Sequence, residues 1–238
     1  MGKNVLIIGA SGDIGKQIAI TLGKAGYHLI LHYNDNKKAI EEIKSFVRDD
    51  TILSVIQADL RTAENTKTFI KQIVFSVDAV IFASGNAHYG LFQDTPDEVM
   101  DTLVQLHIKV PWLVSKALLP QMIKRRSGHI IIITSVWGEV GASYEVAYSS
   151  VKGAQVSFIK ALAKEVGSSC ILVNGVSPGW IDTKINEVSN EEREQLEMEI
   201  PLQRPGSPSD VSDLIQFLLS DKAQYIHGQI IRIDGGWQ

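Results

Sequence analysis

The chain has 238 residues, 45% of them hydrophobic, and its 27 acidic and 23 basic side chains give a formal net charge of −4. This length can bury one sizeable core, as a single α/β domain does. The longest basic tract is the short KRR at 124–126, so nucleic-acid binding has little electrostatic support. No secretion signal is evident, and no apolar run reaches the roughly 18–20 residues that span a bilayer. We therefore expect a cytoplasmic protein that binds neither nucleic acid nor a membrane.

The number of cysteines indicates the cellular compartment and excludes some kinds of site. Cys170 is the single cysteine of the chain and follows two serines at the start of an apolar run. One thiol excludes a disulfide framework and a cysteine-rich metal site, and it suits a reducing cytosol. We expect no metal.

Short β-branched runs recur from end to end, and each is continuous rather than alternating, which is typical of fully buried parallel strands. In chain order they are NVLIIG (4–9), HLILHY (28–33), ILSVIQ (52–57), DAVIFAS (78–84), HIIIIT (129–134), ILVNGV (171–176) and QIIRID (229–234). Amphipathic segments between the runs predict helices at 14–25, 39–47, 64–75 and 102–124. This alternation predicts one Rossmann-type doubly wound α/β domain over residues 1–238, with a seven-stranded, mostly parallel sheet and helices on both faces.

One segment interrupts the alternation. Residues 184–199, KINEVSNEEREQLEME, are polar and acidic and lie between Pro178 and Pro201. Because the segment follows the carboxyl end of a predicted strand, it is either a surface helix or a mobile lid over the site. The sequence leaves both interpretations open.

A glycine-rich turn, GASGDIG, joins the first strand to the first predicted helix. Such a turn places backbone N–H groups and a helix dipole at one point, which suits a pyrophosphate, although a glycine-rich turn without a ligand is an alternative. The candidate contacts are Gly9, Ser11, Gly12, Asp13, Ile14 and Gly15. Direct contact between the Asp13 carboxylate and a phosphate would be repulsive. We therefore expect Asp13 to point away and to cap backbone N–H groups at the start of the helix.

Further candidate residues for a nucleotide site lie at the carboxyl ends of the third and fourth predicted strands. Asp59, followed by Leu60, can accept from an adenine amino group or can merely cap the next helix. Ser84 and Gly85 end the fourth strand at the switch point of the sheet, where ligands bind in such folds.

The end of the second strand bears on the choice of cofactor. Tyr33 and Asn34 occupy the place where a carboxylate would bind the adenosine ribose and repel a 2′-phosphate, and two lysines follow at 37 and 38. This pattern favours NADP(H) over NAD(H), although Asp35 keeps NAD(H) open.

Carbonyl chemistry is indicated by a serine, a tyrosine and a lysine in TSVWGEVGASYEVAYSSVKGAQ. Tyr148 and Lys152 are four residues apart, so on a helix they share a face, and Ser135 ends the preceding strand. Reduction of a carbonyl by hydride needs a proton donor for the developing alkoxide and a polariser for the carbonyl. A nearby ammonium is sufficient to lower the pKa of a tyrosine from about 10 toward neutrality, so we expect Lys152 to lower the pKa of Tyr148.

With these motifs, the sequence resembles the classical short-chain dehydrogenase/reductases along nearly the whole chain. The resemblance includes VNGVSPGWIDT and the closing IPLQRPGSPSDVSDLIQFLLSDKAQYIHGQIIRIDGGW. It implies that Tyr148 is the general acid/base, that Lys152 also binds the nicotinamide ribose, and that Ser135 holds the carbonyl. It also implies a nicotinamide-contacting loop with Pro178, Gly179, Ile181 and Thr183, and a homo-oligomer, tetrameric or dimeric.

Two positions depart from the family pattern. His107 stands where the family usually has an asparagine that holds a proton-relay water, so we expect His107 to serve or support a relay and to titrate in the pH–rate profile. FASG (82–85) replaces the usual Asn-Asn-Ala-Gly, which removes two amide side chains.

Within the family, the general resemblance is to 3-oxoacyl-acyl-carrier-protein reductases. The combination of LHYN, GNAHYGLF, VQLH, SVWGEVGAS and KGAQVSFIKALAKE is more similar to bacterial elongation factor P 5-aminopentanone reductases. Trp137, Glu139 and Glu145 would then flank the substrate, with carboxylates that suit a terminal ammonium and an indole that covers the chain or stacks on the cation. Solvated glutamates and a packed tryptophan are the alternatives. Reduction of acyl-carrier thioesters or small ketones stays open, as does a nucleotide-sensing protein with an inactive site.

Overall fold

The computed structural model describes residues 2–186 and 188–238, apart from the side chain at position 185. A single parallel sheet forms its centre. The strands are β1 (Asn4–Ile8), β2 (His28–Tyr33), β3 (Ile52–Gln57), β4 (Ala79–Phe82), β5 (Gly128–Ile133), β6 (Ile171–Pro178) and β7 (Ile230–Ile233). They lie in the order β3-β2-β1-β4-β5-β6-β7, and every pairing is parallel. The predicted Rossmann-type doubly wound fold is therefore confirmed.

Helices cover both faces of this sheet. They are α1 (Asp13–Lys24), α2 (Lys37–Phe46), α3 (Ala63–Lys71), α4 (Asp97–Val104), α5 (Val110–Arg125), α6 (Trp137–Val140), α7 (Val146–Val166), α8 (Asn190–Glu199) and α9 (Pro208–Leu219). Within the described ranges, no helix combines the length and apolar character needed to cross a membrane.

The central strands explain why their sequences are continuously apolar. In β1, Val5 and Ile7 pack in the core layer beneath α1 and α9, whereas Leu6 and Ile8 pack in the opposite layer beneath α5 and α7. A slip of one residue would not expose this strand, so the glycine turn that ends it and the helices on each face fix its position.

The structure differs from the sequence prediction in the burial of two strands and in the bounds of two helices. Strands β3 and β7 are half-exposed rather than fully buried, because they form the two edges of the sheet. Helix α3 ends at Lys71, four residues before the predicted end at 75. The predicted helix 102–124 starts earlier, at Asp97, and is interrupted by a π-helical turn, Gln105–Lys109.

The π turn has an identifiable cause at its centre. Pro111 lacks the N–H that would donate to the carbonyl of His107 in a regular helix. That carbonyl instead accepts from Nε2 of Gln155 on α7, at 2.8 Å. The His107 side chain lies in the core, where it is 2% exposed.

The acidic segment forms a capped helix. Ser189 and Glu192 make a reciprocal capping box at the start of α8, which stabilises a helix whose own residues bury little apolar surface. At its end, Ile200 is buried and the Glu199 carboxylate accepts from Nε1 of Trp237 at 3.3 Å. Position 187 of the predicted lid lies outside the described residues, and the lid itself stays a prediction.

Three histidines are buried in the domain, namely His32, His107 and His129. Burial lowers the pKa of His32 and His129 to about 4 and that of His107 to about 3, with the Lys152 ammonium contributing at His107 and Lys3 at His129. Unfolded histidines bind protons near pH 6.5. Below that pH the unfolded chain therefore holds more protons than the folded chain, and the stability present above pH 6.5 is progressively lost toward pH 4.

We expect the free energy of unfolding to fall by about 1–2 kcal/mol per buried histidine between pH 7 and pH 5. Urea denaturation at the two pH values, followed by circular dichroism, measures this change. His129 lies at the amino end of β5, away from the candidate site at the carboxyl ends of the strands. The variant His129→Phe removes one titrating group, so its free energy of unfolding should depend less on pH. Equal stability of the parent protein at both pH values would contradict burial of neutral histidines.

Candidate active site

The glycine-rich turn packs tightly between β1, β4 and α1. Gly9 has φ +89°, and a Cβ on it would lie 2.5 Å from the backbone nitrogen of Ser84. A Cβ on Gly15 would lie 2.1 Å from the carbonyl oxygen of Gly9. Gly12, in contrast, faces open space, because a Cβ there would meet only that same oxygen, at 3.7 Å. The turn is closed on its inner side and open at the start of α1.

The start of α1 can receive an anion. Gly12 is the N-cap residue and makes no side-chain cap, so the first N–H groups of α1 lack the acceptor that a capping side chain would provide. Ile14, two residues into the helix, points to the core. This open, uncapped helix start fits a dinucleotide pyrophosphate.

The prediction for Asp13 is wrong about its partner. Its carboxylate does not cap α1 but accepts from the backbone N–H of Lys184, at 2.9 Å, in the segment that follows β6. Asp13 is the first residue of α1, where its side chain can reach across to the neighbouring loop. The side chain thereby connects the glycine turn to the predicted lid.

His32 holds the other side of the turn, and the sequence analysis missed it. Nδ1 of His32 accepts from the N–H of Gly9 at 3.1 Å, and its Nε2 donates to the carbonyl of Ala58 at 2.9 Å. One buried, neutral imidazole therefore connects the ends of β1, β2 and β3. The signal in the sequence was a histidine near the carboxyl end of a buried strand, which in a parallel sheet lies close to the glycine turn after β1.

The predicted adenosine contacts are only partly presented to a ligand. Tyr33 is buried, and its hydroxyl donates to Gln57 at 3.2 Å, so this side chain belongs to the core, while Asn34 is exposed. The Asp59 carboxylate accepts from the guanidinium and the backbone N–H of Arg61, and these bonds lower its pKa. Leu60 is buried. Arg61, which no sequence motif singles out, thus adds a cation at this end of the sheet.

The loop after β6 is fixed by backbone bonds. The carbonyl of Pro178 accepts from Val136 at 3.1 Å, and the N–H of Gly179 donates to Ile233 at 2.9 Å. Ile181 is buried and pairs with Gly206. Thr183 lines a surface pocket together with Asp13 and Lys184, and its hydroxyl donates to the carbonyl of Ile181 at 3.4 Å. The loop therefore extends from the carboxyl end of β6 to the start of α1.

Ser135, Tyr148 and Lys152 come together at the carboxyl end of β5. Ser135 lies two residues beyond the end of this strand and is buried, and its Oγ accepts from the N–H of Trp137 at 3.2 Å. Nζ of Lys152 donates to the carbonyl of Ile133 at 2.9 Å and lies 5.4 Å from the ring centroid of Tyr148. The helical spacing predicted from the sequence is confirmed, since both residues lie in α7.

The protein by itself does not lower the pKa of Tyr148 as predicted. Burial raises this pKa, the Glu145 carboxylate raises it further, and the Ser135 hydroxyl only partly offsets the rise. Burial also lowers the pKa of Lys152 to about 7, so the amine is only partly protonated near neutrality. In a low-dielectric site both side chains favour their neutral forms.

His107 contacts the ring of Tyr148 and lies close enough to Lys152 to be affected by its charge. Its Nε2 donates to the carbonyl of Asn86 at 2.9 Å, and its ring meets that of Tyr148 edge to face, with centroids 5.7 Å apart. Its Nδ1 is buried and has no partner among the described residues. Gly85 permits this placement, because a Cβ there would lie 2.2 Å from the imidazole. Burial and the neighbouring Lys152 lower the pKa of His107 to about 3, which favours the neutral imidazole and argues against its titration in the pH–rate profile.

The three predicted substrate residues have different surroundings. Glu139 accepts from the Ser177 hydroxyl at 2.8 Å and pairs with Arg232 at 3.2 Å, so its carboxylate connects β6 and β7 and is not free for a substrate. Trp137 contacts Trp237 edge to face at 5.0 Å. Glu145 lies beside Trp137 and Tyr148, burial raises the pKa of its carboxyl group, and no cation among the described residues affects that pKa.

Comparison with known proteins identifies the family of the chain. A family model described as enoyl-(acyl carrier protein) reductase matches residues 9–238. The uncharacterized oxidoreductase YmfI of Bacillus subtilis (strain 168) is 44% identical over 240 residues, with 100% of this chain and 99% of that protein covered. The 3-oxoacyl-[acyl-carrier-protein] reductase FabG of Staphylococcus aureus (strain Mu50) is 33% identical, with 99% and 98% covered.

A solved structure extends the similarity to the fold. ElxO with NADP bound superposes with a TM-score of 0.90 at 30% identity, covering 100% of this chain and 99% of that chain. The parallel sheet, the open glycine turn and the full-length matches lead to one conclusion. The chain belongs to the classical short-chain dehydrogenase/reductase family, whose members are oxidoreductases of alcohol and ketone groups.

Proposed function

We propose that the protein is an NADPH-dependent reductase of a ketone that carries a nearby positive charge. The observation that carries this proposal is the Glu145 carboxylate, which is partly withdrawn from water beside Tyr148 with no protein cation paired to it. A bound nicotinamide cofactor would supply the hydride. The chain itself has to bind the ketone, orient it and provide the proton.

The proposed roles follow from the positions of the side chains. Ser135 donates a hydrogen bond to the carbonyl oxygen, which polarises it, and Tyr148 transfers its phenolic proton to that oxygen as negative charge develops there. Lys152 stabilises the resulting tyrosinate, because its amine lies on the same face of α7. A cation brought to Glu145 would cancel the repulsion that this carboxylate exerts on tyrosinate, and so would make Tyr148 a better acid.

Replacement of the proton is the proposed role of His107. Its neutral imidazole presents Nδ1 as a buried acceptor near Lys152, while Nε2 is held by Asn86. A neutral imidazole so fixed can orient a relay without titrating itself. An inactive, nucleotide-sensing protein is less well supported, since Ser135, Tyr148 and Lys152 are brought together.

Preference for NADP(H) rests on the charge around the adenosine end of the site. Arg61 lies there, and Lys37 and Lys38 are exposed at the start of α2, where a 2′-phosphate could reach them. The carboxylate of Asp59 is already engaged by Arg61. The similar structure with bound NADP supports the same choice.

For the substrate, we infer the 5-aminopentanone group on a lysine of elongation factor P, in agreement with the sequence resemblance. Its terminal ammonium would pair with Glu145, and Trp137 would cover the chain. Acyl-carrier thioesters are the second candidate, because the Staphylococcus aureus relative is named for them. We also propose a homo-oligomer, a dimer or tetramer, since Trp112 and Ile123 on α5 are exposed apolar side chains.

A matched pair of ketones tests the charge requirement. We expect kcat/KM for protonated 5-dimethylamino-2-pentanone to exceed that for its uncharged isostere 6-methyl-2-heptanone by about tenfold, as a charge-assisted contact provides. Glu145→Gln should remove most of this difference, and Glu139→Gln is the control because Glu139 pairs with Arg232. Oxidation of NADPH is followed by absorbance. Equal rates for the two ketones with the parent enzyme would refute the proposal.

The macromolecular substrate requires its own assay. Ketone-bearing elongation factor P, incubated with enzyme and NADPH, should gain about 2 Da by intact mass, as ketone reduction requires. Acetoacetyl-carrier thioester is the parallel substrate. Turnover of the thioester with no mass change in the factor would establish the second candidate instead.

His32 should control affinity for the cofactor through the glycine turn. His32→Asn keeps an acceptor near the position of Nδ1, His32→Gln keeps a donor near that of Nε2, and His32→Phe keeps only the ring. We expect the Kd for NADPH, measured by fluorescence titration, to rise least in the Asn variant and about tenfold in the Phe variant. A Gln variant that binds better than the Asn variant would show that the Gly9 contact is unimportant.

Two variants of Asp13 distinguish the effect of its charge from the effect of its hydrogen bond to Lys184. Asp13→Asn keeps an acceptor for the Lys184 N–H, whereas Asp13→Ala removes it. If the contact holds the loop, the Ala variant should release NADPH about five times faster in stopped-flow experiments, and the Asn variant should resemble the parent. Tightening of NADPH binding by more than tenfold in the Asn variant would show that the carboxylate faces the phosphates.

A further inference from the structure

Tyr144, immediately before Glu145, has an unfavourable backbone conformation. Its φ is 64°, in the left-handed region that favours glycine. A bulky side chain is seldom found there, and the conformation costs free energy that the surrounding contacts have to offset. Such a residue beside an active site requires an explanation from its contacts.

Two contacts hold Tyr144, and both come from the loop after β4. The carbonyl of Tyr144 accepts from the N–H of Gly90 at 2.8 Å. Its ring stacks on that of Tyr89, with centroids 5.1 Å apart and an interplanar angle of 15°. Because β4 and β5 are neighbouring parallel strands, the stack joins two loops that leave the same edge of the sheet.

Core packing does not account for this pair. Tyr89 is 73% exposed and Tyr144 is 44% exposed, so the stack contributes little apolar burial. The next residue, Glu145, is the N-cap of α7 and has no side-chain cap of its own, and Tyr148 lies in the first turn of that helix. The stack restrains the residue directly ahead of Glu145, while a bond from the N–H of Ala142 to the Ser149 hydroxyl holds the same loop three residues ahead of Glu145.

We propose that the Tyr89–Tyr144 stack is a positioning element for substrate charge, which holds the Glu145 carboxylate beside Tyr148 by keeping Tyr144 in its left-handed conformation. This inference rests on the proposed function, because it assigns the stack to selectivity for ketones that carry an ammonium. The stack does not touch the reacting atoms. Its loss should weaken the recognition of charge and leave the reduction of uncharged ketones intact.

Three variants distinguish positioning from simple stability. Tyr144→Gly relieves the strain while removing the stack, Tyr89→Ala removes the stack and leaves the strain, and Tyr89→Phe keeps both rings. We expect selectivity for 5-dimethylamino-2-pentanone over 6-methyl-2-heptanone to fall about fivefold in the Gly and Ala variants and to persist in the Phe variant. The loss should appear in KM for the charged ketone rather than in kcat for the uncharged one.

Thermal unfolding provides the second readout. Tyr89→Ala should lower Tm, whereas Tyr144→Gly should leave Tm within about 2 °C of the parent, because strain relief offsets the lost stack. Reduced selectivity in a variant of unchanged Tm supports positioning. Unchanged selectivity in both the Gly and Ala variants, with a selective parent enzyme, overturns this inference alone. A parent enzyme without selectivity overturns the proposed function, and with it this inference.

Discussion

The all-parallel sheet is the constraint on which the rest of the structure depends. Its strands point the same way, so the turn after β1, the serine after β5 and the loop after β6 all leave one edge. Central strands such as β1 are apolar on both faces and are held between two core layers. The site is thus assembled from loops whose starting points are fixed by a rigid core, which is what precise placement of a substrate requires.

Burial also determines the charge of the site. Tyr148, Lys152 and His107 are withdrawn from water, and the pKa of each is displaced toward the neutral form. A low-dielectric pocket of neutral groups responds strongly to any charge that a ligand brings. In the chain alone, burial first and the Glu145 carboxylate second make Tyr148 less acidic than a free tyrosine.

Departures from the family pattern come with local compensation. His107 replaces an asparagine, and its place depends on three other residues: Pro111 frees its carbonyl, Gln155 donates to that carbonyl, and Gly85 leaves room for the ring. In the glycine turn, the Asp13 carboxylate accepts from the N–H of Lys184. Each of these two side chains is compatible with the fold because neighbouring residues accommodate it.

The sequence by itself determined the strands, the alternation with helices, the glycine turn and the spacing of Ser135, Tyr148 and Lys152, because these depend on local periodicity. Only the tertiary structure decided the partners of Asp13 and Glu139, since these carboxylates pair with residues that are distant in the sequence. The same holds for His32 and the Tyr89–Tyr144 stack, whose contacts join different loops. Displaced pKa values, too, arise from burial, which no local pattern records.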